Sequence, residues 1–301
     1  TKLTNAGSAS SRFGYRQLSA ESLEGRQMLS ANWGVDAIDA PHVWNQGYTG
    51  QGVVVAVIDS GIDPHPDLLP NLWTNPGERI NSLDDDRNGF VNDLNGWDFA
   101  EDDNNPVTQS RHGNHVLGII AAARNNQGTT GVAYNAKVMP LRVFDDDGRS
   151  STRYVADAIR FAVNNGARVV NLSVGGISSG DVSAAIRHAQ QNEVLIVASS
   201  GNSGLAEPSF PASASGTYGN VLSVGAYDNG YRAWASTNSV GSSGAVQVDA
   251  PGVDISSTTT GGGYSTSTGT SSAAAHVAGV AALMLSADPS LTASELRQVL
   301  L

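Results

Sequence analysis

The feature that most constrains the fold is the run Val53-Val54-Val55-Ala56-Val57-Ile58. It is apolar at every position rather than at alternate ones. A strand of that kind has no solvent face and belongs in a sheet covered on both sides, as parallel sheets are. Val138-Met139-Pro140-Leu141-Arg142-Val143-Phe144, Val169-Val170-Asn171-Leu172-Ser173, Val194-Leu195-Ile196-Val197-Ala198 and Val221-Leu222-Ser223-Val224 read as further strands. Residues 154–165, closed by Gly166, and residues 183–191 read as helices between them. Strands alternating with helices at this spacing predict the α/β class, with a mainly parallel central sheet and helices on both faces.

Composition narrows the chemistry. The chain has no cysteine, which removes disulfides, thiolate metal sites and Cys nucleophiles. A core of this size holds without disulfides, and bound calcium would add to its stability. Charged residues make up only 15 % and glycines number 34, the mark of a closely packed, loop-rich globular chain. A formal net charge of −11 argues against nucleic acid and anionic membrane as partners. No apolar run approaches the length of a membrane span.

Residues 1–30 are polar and read as a flexible segment ahead of a single domain at 31–301. Within them, Leu23-Glu24-Gly25-Arg26-Gln27-Met28-Leu29 is similar to leader-proximal segments of some large bacterial extracellular proteins. The chain starts at Thr1 and shows no secretory leader, so it is read as processed or cut. At the other end, Thr292-Ala293-Ser294-Glu295 is a capping box for a final helix. The chain stops inside that helix, at Leu301, and the natural protein is expected to continue.

Three residues carry potential chemistry. Asp59 stands just past the carboxyl end of the first buried strand, where open α/β sheets place their sites. His112 opens the small-residue helix of Ser110-Arg111-His112-Gly113-Asn114-His115. A metal pair of His112 and His115 would need further ligands at short range, and none is near in sequence. Ser271 lies in Gly269-Thr270-Ser271-Ser272-Ala273-Ala274-Ala275-His276-Val277-Ala278-Gly279. The helix it starts runs through about Leu285, is apolar on nearly every side and should be buried. Free N–H groups and the helix dipole favour developing negative charge there. Ser271 therefore reads either as a helix cap or as a nucleophile. A serine nucleophile needs a histidine base and a carboxylate to orient it.

Asp84-Asp85-Asp86-Arg87-Asn88-Gly89-Phe90-Val91-Asn92-Asp93 carries oxygen side chains at alternate positions before a turn glycine. That matches the front half of an EF-hand-type calcium loop, with Asp84, Asp86, Asn88, Phe90 and Asp93 as candidate ligand positions. The back half departs, with Asn92 at position nine and no Glu at twelve. A solvated acidic loop is the alternative.

Taken together, the chain resembles the subtilisin-like serine proteases of bacterial extracellular type. Val57-Ile58-Asp59-Ser60-Gly61 matches the family's Asp motif, His112-Gly113-Asn114-His115-Val116 its His motif, and the Gly269 to Gly279 stretch its Ser motif. Asp, then His, then Ser is the subtilisin chain order. The resemblance covers residues 33–301. It implies the three-layer subtilisin-like fold and a secreted, monomeric serine endopeptidase acting on protein or peptide substrates. Asn202 becomes the oxyanion-hole side chain. Ser173, Val174 and Gly175 become the edge that pairs with substrate backbone, and Ser199, Ser200 and Gly201 the other wall of the primary pocket. Small residues on both walls imply a preference for bulky apolar or aromatic side chains. The resemblance also implies one or two structural calcium ions, the second held by Asp67 and Asn125 with carbonyls near Ala123, Gln127 and Thr129.

Four positions depart from the family pattern. Asn114 stands for the usual Thr, Leu117 for Ala, Ser272 for Met and Ala275 for Pro. A catalytically impaired pseudopeptidase that binds extended peptides, and a peptide ligase on the same fold, are the alternative functions.

Overall fold

The computed structural model describes residues 33–176 and 178–301. The expected N-terminal segment, with its leader-proximal match, lies outside the described residues.

Among the described residues, nine strands and seven α-helices follow in order. The strands are β1 (Val54–Asp59), β2 (Trp97–Asp98), β3 (Lys137–Arg142), β4 (Val169–Leu172), β5 (Leu195–Ser199), β6 (Val221–Tyr227), β7 (Gln247–Pro251), β8 (Ile255–Thr258) and β9 (Tyr264–Ser267). The helices are α1 (Trp33–Ala37), α2 (Ala40–Asn45), α3 (Arg111–Ala121), α4 (Thr152–Asn164), α5 (Gly180–Gln191), α6 (Thr270–Ala287) and α7 (Ala293–Leu300). Seven strands form one sheet in the order β2-β3-β1-β4-β5-β6-β7. Every pairing in it is parallel, so all the carboxyl ends lie along one edge. Asp59 ends β1 opposite Arg142 of β3, next to the point where the chain turns from building one side of the sheet to the other.

Alternate strand residues enter two separate cores. Val55, Val57, Val138, Val169, Val197 and Leu222 meet α3 and α6 on one face. Ala56, Ile58, Met139, Leu141, Val170 and Ile196 meet α4 and α5 on the other. The expected three-layer α/β architecture is what the chain forms. Helix α6 is long and apolar enough to span a membrane, at a mean hydropathy of 1.3, which corrects the expectation that no run reaches that length. Its apolarity instead serves the core, since 72 % of the helix is buried inside the fold.

Helix α5 starts at Gly180, earlier than residue 183, because Ser179 caps it by accepting from the Asp181 N–H. The capping box on α7 forms in both directions between Thr292 and Glu295. The β8–β9 hairpin and the short edge strand β2 had no sequence expectation. Ser and Thr fill most of β8 and β9, so neither strand shows an apolar period.

Candidate active site

Asp59 is buried at the end of β1. Its Oδ1 accepts from the Ser60 N–H and from His112 Nδ1, each at 2.7 Å. Facing a carboxylate, Nδ1 carries the ring hydrogen and leaves Nε2 as the basic nitrogen. The Asp59 charge raises the His112 pKa above its ordinary value, outweighing the burial that lowers it. The imidazole is still 46 % exposed and lines a cleft of about 770 Å³ together with Ser60, Thr108, Phe144 and Ser173.

Backbone contact holds the dyad in register. Gly113 donates to Ser60 Oγ at 3.0 Å, and a Cβ on Gly113 would meet the Gly61 carbonyl oxygen at 2.0 Å. The next residue, Asn114, is fully buried. Its Oδ1 accepts from the Asp63 N–H at 2.6 Å, and its Nδ2 donates to the Asp63 carbonyl at 2.8 Å. Both polar ends of the amide thus tie α3 to the loop that follows Asp59. His115 turns away and bonds the Ile255 carbonyl through Nε2 at 2.9 Å. With His112 committed to Asp59, the two histidines do not face a common ion.

Ser271 is the second residue of α6, within the first turn of a helix whose cap position is Gly269. Its hydroxyl is therefore not the cap. Three adjacent hydroxyls stand here, and the structure separates them. Thr270 is 0 % exposed, Ser271 9 % and Ser272 3 %. The Thr270 N–H and hydroxyl both donate to Asn202 Oδ1, at 2.9 and 2.8 Å. The same hydroxyl accepts from the Gly201 N–H at 3.2 Å. A backbone N–H can only donate, so the Asn202 amide orientation is fixed with Nδ2 left over. Among the described residues Ser271 Oγ has no hydrogen-bond partner.

Both walls expected for a substrate lie along the same sheet edge. Ser173 accepts from Asn171 Nδ2 at 2.9 Å, just past β4. Val174 and Gly175 line an apolar side pocket of about 250 Å³ with Phe144, Val155, Val182 and Phe210. Ser199 ends β5, Ser200 is fully buried, and Gly201 adopts φ 112°.

The family model for subtilases, peptidase S8, matches residues 50–301. The chain belongs to the subtilase family. Subtilisin BL and Subtilisin Savinase, both of Lederbergia lenta, are each 37 % identical to it over 270 residues, 89 % of this chain and 89 % of each relative. Alkaline elastase YaB of Bacillus sp. (strain YaB) is 36 % identical over 279 residues, 92 % of this chain and 66 % of the relative. Against the Alkaline protease of Alkalihalobacillus alcalophilus the match spans 63 % of the relative's length. The chain is a serine-type endopeptidase by this membership.

Part of the acidic loop converges in this subtilase. Carboxylate oxygens of Glu78, Asp86 and Asp93 lie within 4.8 Å of one another. Asn75 Nδ2 donates to both Asp86 and Asp93, and so does Asn88 Nδ2. Burial raises the Asp93 pKa, opposed by its bonds to Asn88 and Asn75 and reinforced by the neighbouring Asp86 and Glu78 charges. Among the described residues no Lys or Arg pairs with any of the three. Asp84 is spent elsewhere, accepting from the Asn88 and Gly89 N–H groups. The Phe90 ring packs against Trp97, Phe99 and Phe161. Glu78 had no sequence signal, because it precedes the loop and its carboxylate also holds the Asp85 and Asn92 N–H groups.

Asp67 is arranged differently. Its two oxygens accept from Asn125 Nδ2 and from the Tyr264 hydroxyl, each at 2.7 Å. Burial first, and then the Asp67 contact, push the Tyr264 pKa up to about 12. Asn125 Oδ1 is turned to the Gln127 N–H. These side chains satisfy one another and present no second converging carboxylate.

His276, one turn after Ser272 on α6, is fully buried. Its Nδ1 donates to the Ser272 carbonyl at 2.8 Å. A Cβ on Gly34 of α1 would sit 2.3 Å from its Nε2. Burial pushes its pKa down to about 4, whereas an exposed histidine in the unfolded chain titrates near 6.5. The unfolded state therefore binds this proton first as pH falls. The contribution is intact above about pH 6.5, drains away towards pH 4, and amounts to about 3 kcal/mol. Ring NMR signals of His276 are expected to stay at their neutral positions down to near pH 4, while unfolding free energy falls over the same window. A ring titrating near 6.5 would contradict this.

Proposed function

We propose that Asp59, His112 and Ser271 form the catalytic triad of a secreted, monomeric endopeptidase, with Asn202 completing its oxyanion hole. The observation that carries this reading is the 2.7 Å bond from His112 Nδ1 to buried Asp59, which leaves Nε2 as a base. Ser271 Oγ attacks the scissile carbonyl and His112 Nε2 takes its proton. Asp59 stabilises the imidazolium. The tetrahedral oxygen is met by Asn202 Nδ2 and the Ser271 N–H, where the start of α6 adds its dipole. His112 then gives the proton to the leaving amine. Water repeats the sequence in reverse to release the acyl group. Ser173, Val174 and Gly175 pair with the substrate strand, with Ser199, Ser200 and Gly201 across from them. The small side chains on both walls support a preference for bulky apolar or aromatic residues. The catalytic domain spans residues 31–301. The relatives named above are proteases, which supports protein or peptide substrates.

A serine-directed phosphonate tests the reading. It should abolish cleavage of unfolded casein and add one covalent group, mapped to Ser271. A folded protein that binds casein without inhibitor-sensitive cleavage would instead be a peptide-binding module.

We further propose one structural calcium ion at Glu78, Asp86 and Asp93. Three carboxylates that repel one another, two of them buried and none paired with a cation, fit a hard divalent ion. Asp84, Asn88 and Phe90 shape the turn around it. The side chains at Asp67 and Asn125 fit a second ion less well, because among the described residues no second carboxylate converges on Asp67. At calcium a hundred times its Kd the ion stabilises by about 2.7 kcal/mol. Chelation is then expected to lower the Tm by roughly 5–10 °C for a chain of this size. Glu78→Gln should remove most of that calcium dependence. A Tm indifferent to calcium would rule the site out.

A further inference from the structure

The turn that carries Asn202 is held from a second side. Asn238, in the loop between β6 and β7, is 1 % exposed and has no role in the reading above. Its side-chain Oδ1 accepts from the Ser203 N–H at 3.1 Å and the Leu205 N–H at 3.0 Å. Its own backbone N–H donates to the Gly201 carbonyl at 3.0 Å. Its Nδ2 donates to Ser209 Oγ at 3.4 Å. These bonds bracket Asn202, reaching the residue before it and the residue after it. The approach is close, for a Cβ on Gly201 would meet Asn238 Nδ2 at 2.4 Å. Thr270 fixes the side-chain end of Asn202, and Asn238 fixes the backbone that bears it.

We infer that Asn238 is a positioning residue for the oxyanion hole, setting where the Asn202 amide stands when the tetrahedral oxygen forms. A preorganised donor is effective only when its backbone does not have to move during the reaction. A buried side chain that accepts from two backbone N–H groups on one side of Asn202, with a carbonyl bonded on the other, is the arrangement that prevents such movement. The inference rests on Asn202 being the oxyanion donor.

The test is a double-mutant cycle on the full chain with a peptide substrate. Asn238→Ala is expected to lower kcat roughly ten- to a hundredfold, less than loss of the donor itself, with KM nearly unchanged. Affinity for a peptide aldehyde, whose serine adduct places an oxygen in the hole, should fall in step with kcat. Asn238→Asp keeps the acceptor oxygens and should recover most of the loss. In an Asn202→Ala background, Asn238→Ala should cost little more, because its effect runs through Asn202. Should Asn238→Ala not fold, Asn238→Ser carries the same cycle, since its hydroxyl is too short to serve both N–H groups. Additive losses in the cycle, or a rise in KM with kcat retained, would overturn the inference. Those results would leave the triad standing, whereas serine-dependent cleavage surviving Ser271→Ala would remove the reading beneath it.

Discussion

Ser271→Ala is expected to lower kcat about a millionfold, with the fold and the calcium dependence of the Tm unchanged; the figure is the one found for the nucleophile of subtilisin itself. The size follows from what the neighbouring hydroxyls are doing. Thr270 is committed to Asn202 and to the Gly201 N–H. Ser272 is more deeply buried than Ser271 and lies in the part of α6 that packs on His276. Neither can take over the attack. Ser272→Ala should therefore change kcat by no more than a few-fold, as a surrounding side chain would, and stopped assays with unfolded casein would separate the two variants readily. Activity surviving in Ser271→Ala but lost in Ser272→Ala would mean the assignment is off by one.

Asp59→Asn should lower kcat by about ten-thousandfold, the scale seen when a serine protease loses this carboxylate and its histidine adopts the wrong tautomer. A second readout distinguishes this from mere damage. The His112 pKa is raised chiefly by the Asp59 charge, against the burial that lowers it. The proposed mechanism needs neutral His112, so the acid limb of kcat/KM in the intact protein should lie above the ordinary histidine value. Without the charge only the lowering cause is left, and the limb should move to lower pH even as the plateau collapses. A limb that stays in place would mean another group titrates there.

The parts of the molecule legible in the sequence are those where one physical demand dominated. Residues 53–58 had to be a covered strand because they lack a polar face, and the same held for β3, β4 and β5. Asp59 was readable because a buried strand ended in an acid. Helix α6 was readable because Ala, Val and Gly leave it nowhere to lie but the core. The hairpin β8–β9 was not, since its Ser and Thr residues carry no period. Glu78 and Asn238 were illegible for a different reason. Each acts through backbone N–H groups of another loop, Asn92 for the first and Ser203 and Leu205 for the second. Only tertiary folding creates those pairings. Asn114, a departure from the family's usual Thr, bonds both backbone polar groups of Asp63.

A sheet that is parallel throughout, with Asp59 near one end of the chain and Ser271 near the other, also governs when the cutting begins. Parallel strands meet only after long excursions of chain, so such topologies mature slowly. The proposed triad, with Asp59 and His112 on one side and Ser271 beside Asn202 on the other, is complete only when the last crossover has docked. A polypeptide still on the way to this fold is therefore inert towards its siblings. Once matured, it meets those siblings as food whenever they open, because an endopeptidase accepts extended backbone. Where such molecules are concentrated enough that cleavage outpaces reclosing, persistence is decided by how rarely each one unfolds, not by how favourable its folded state is at equilibrium.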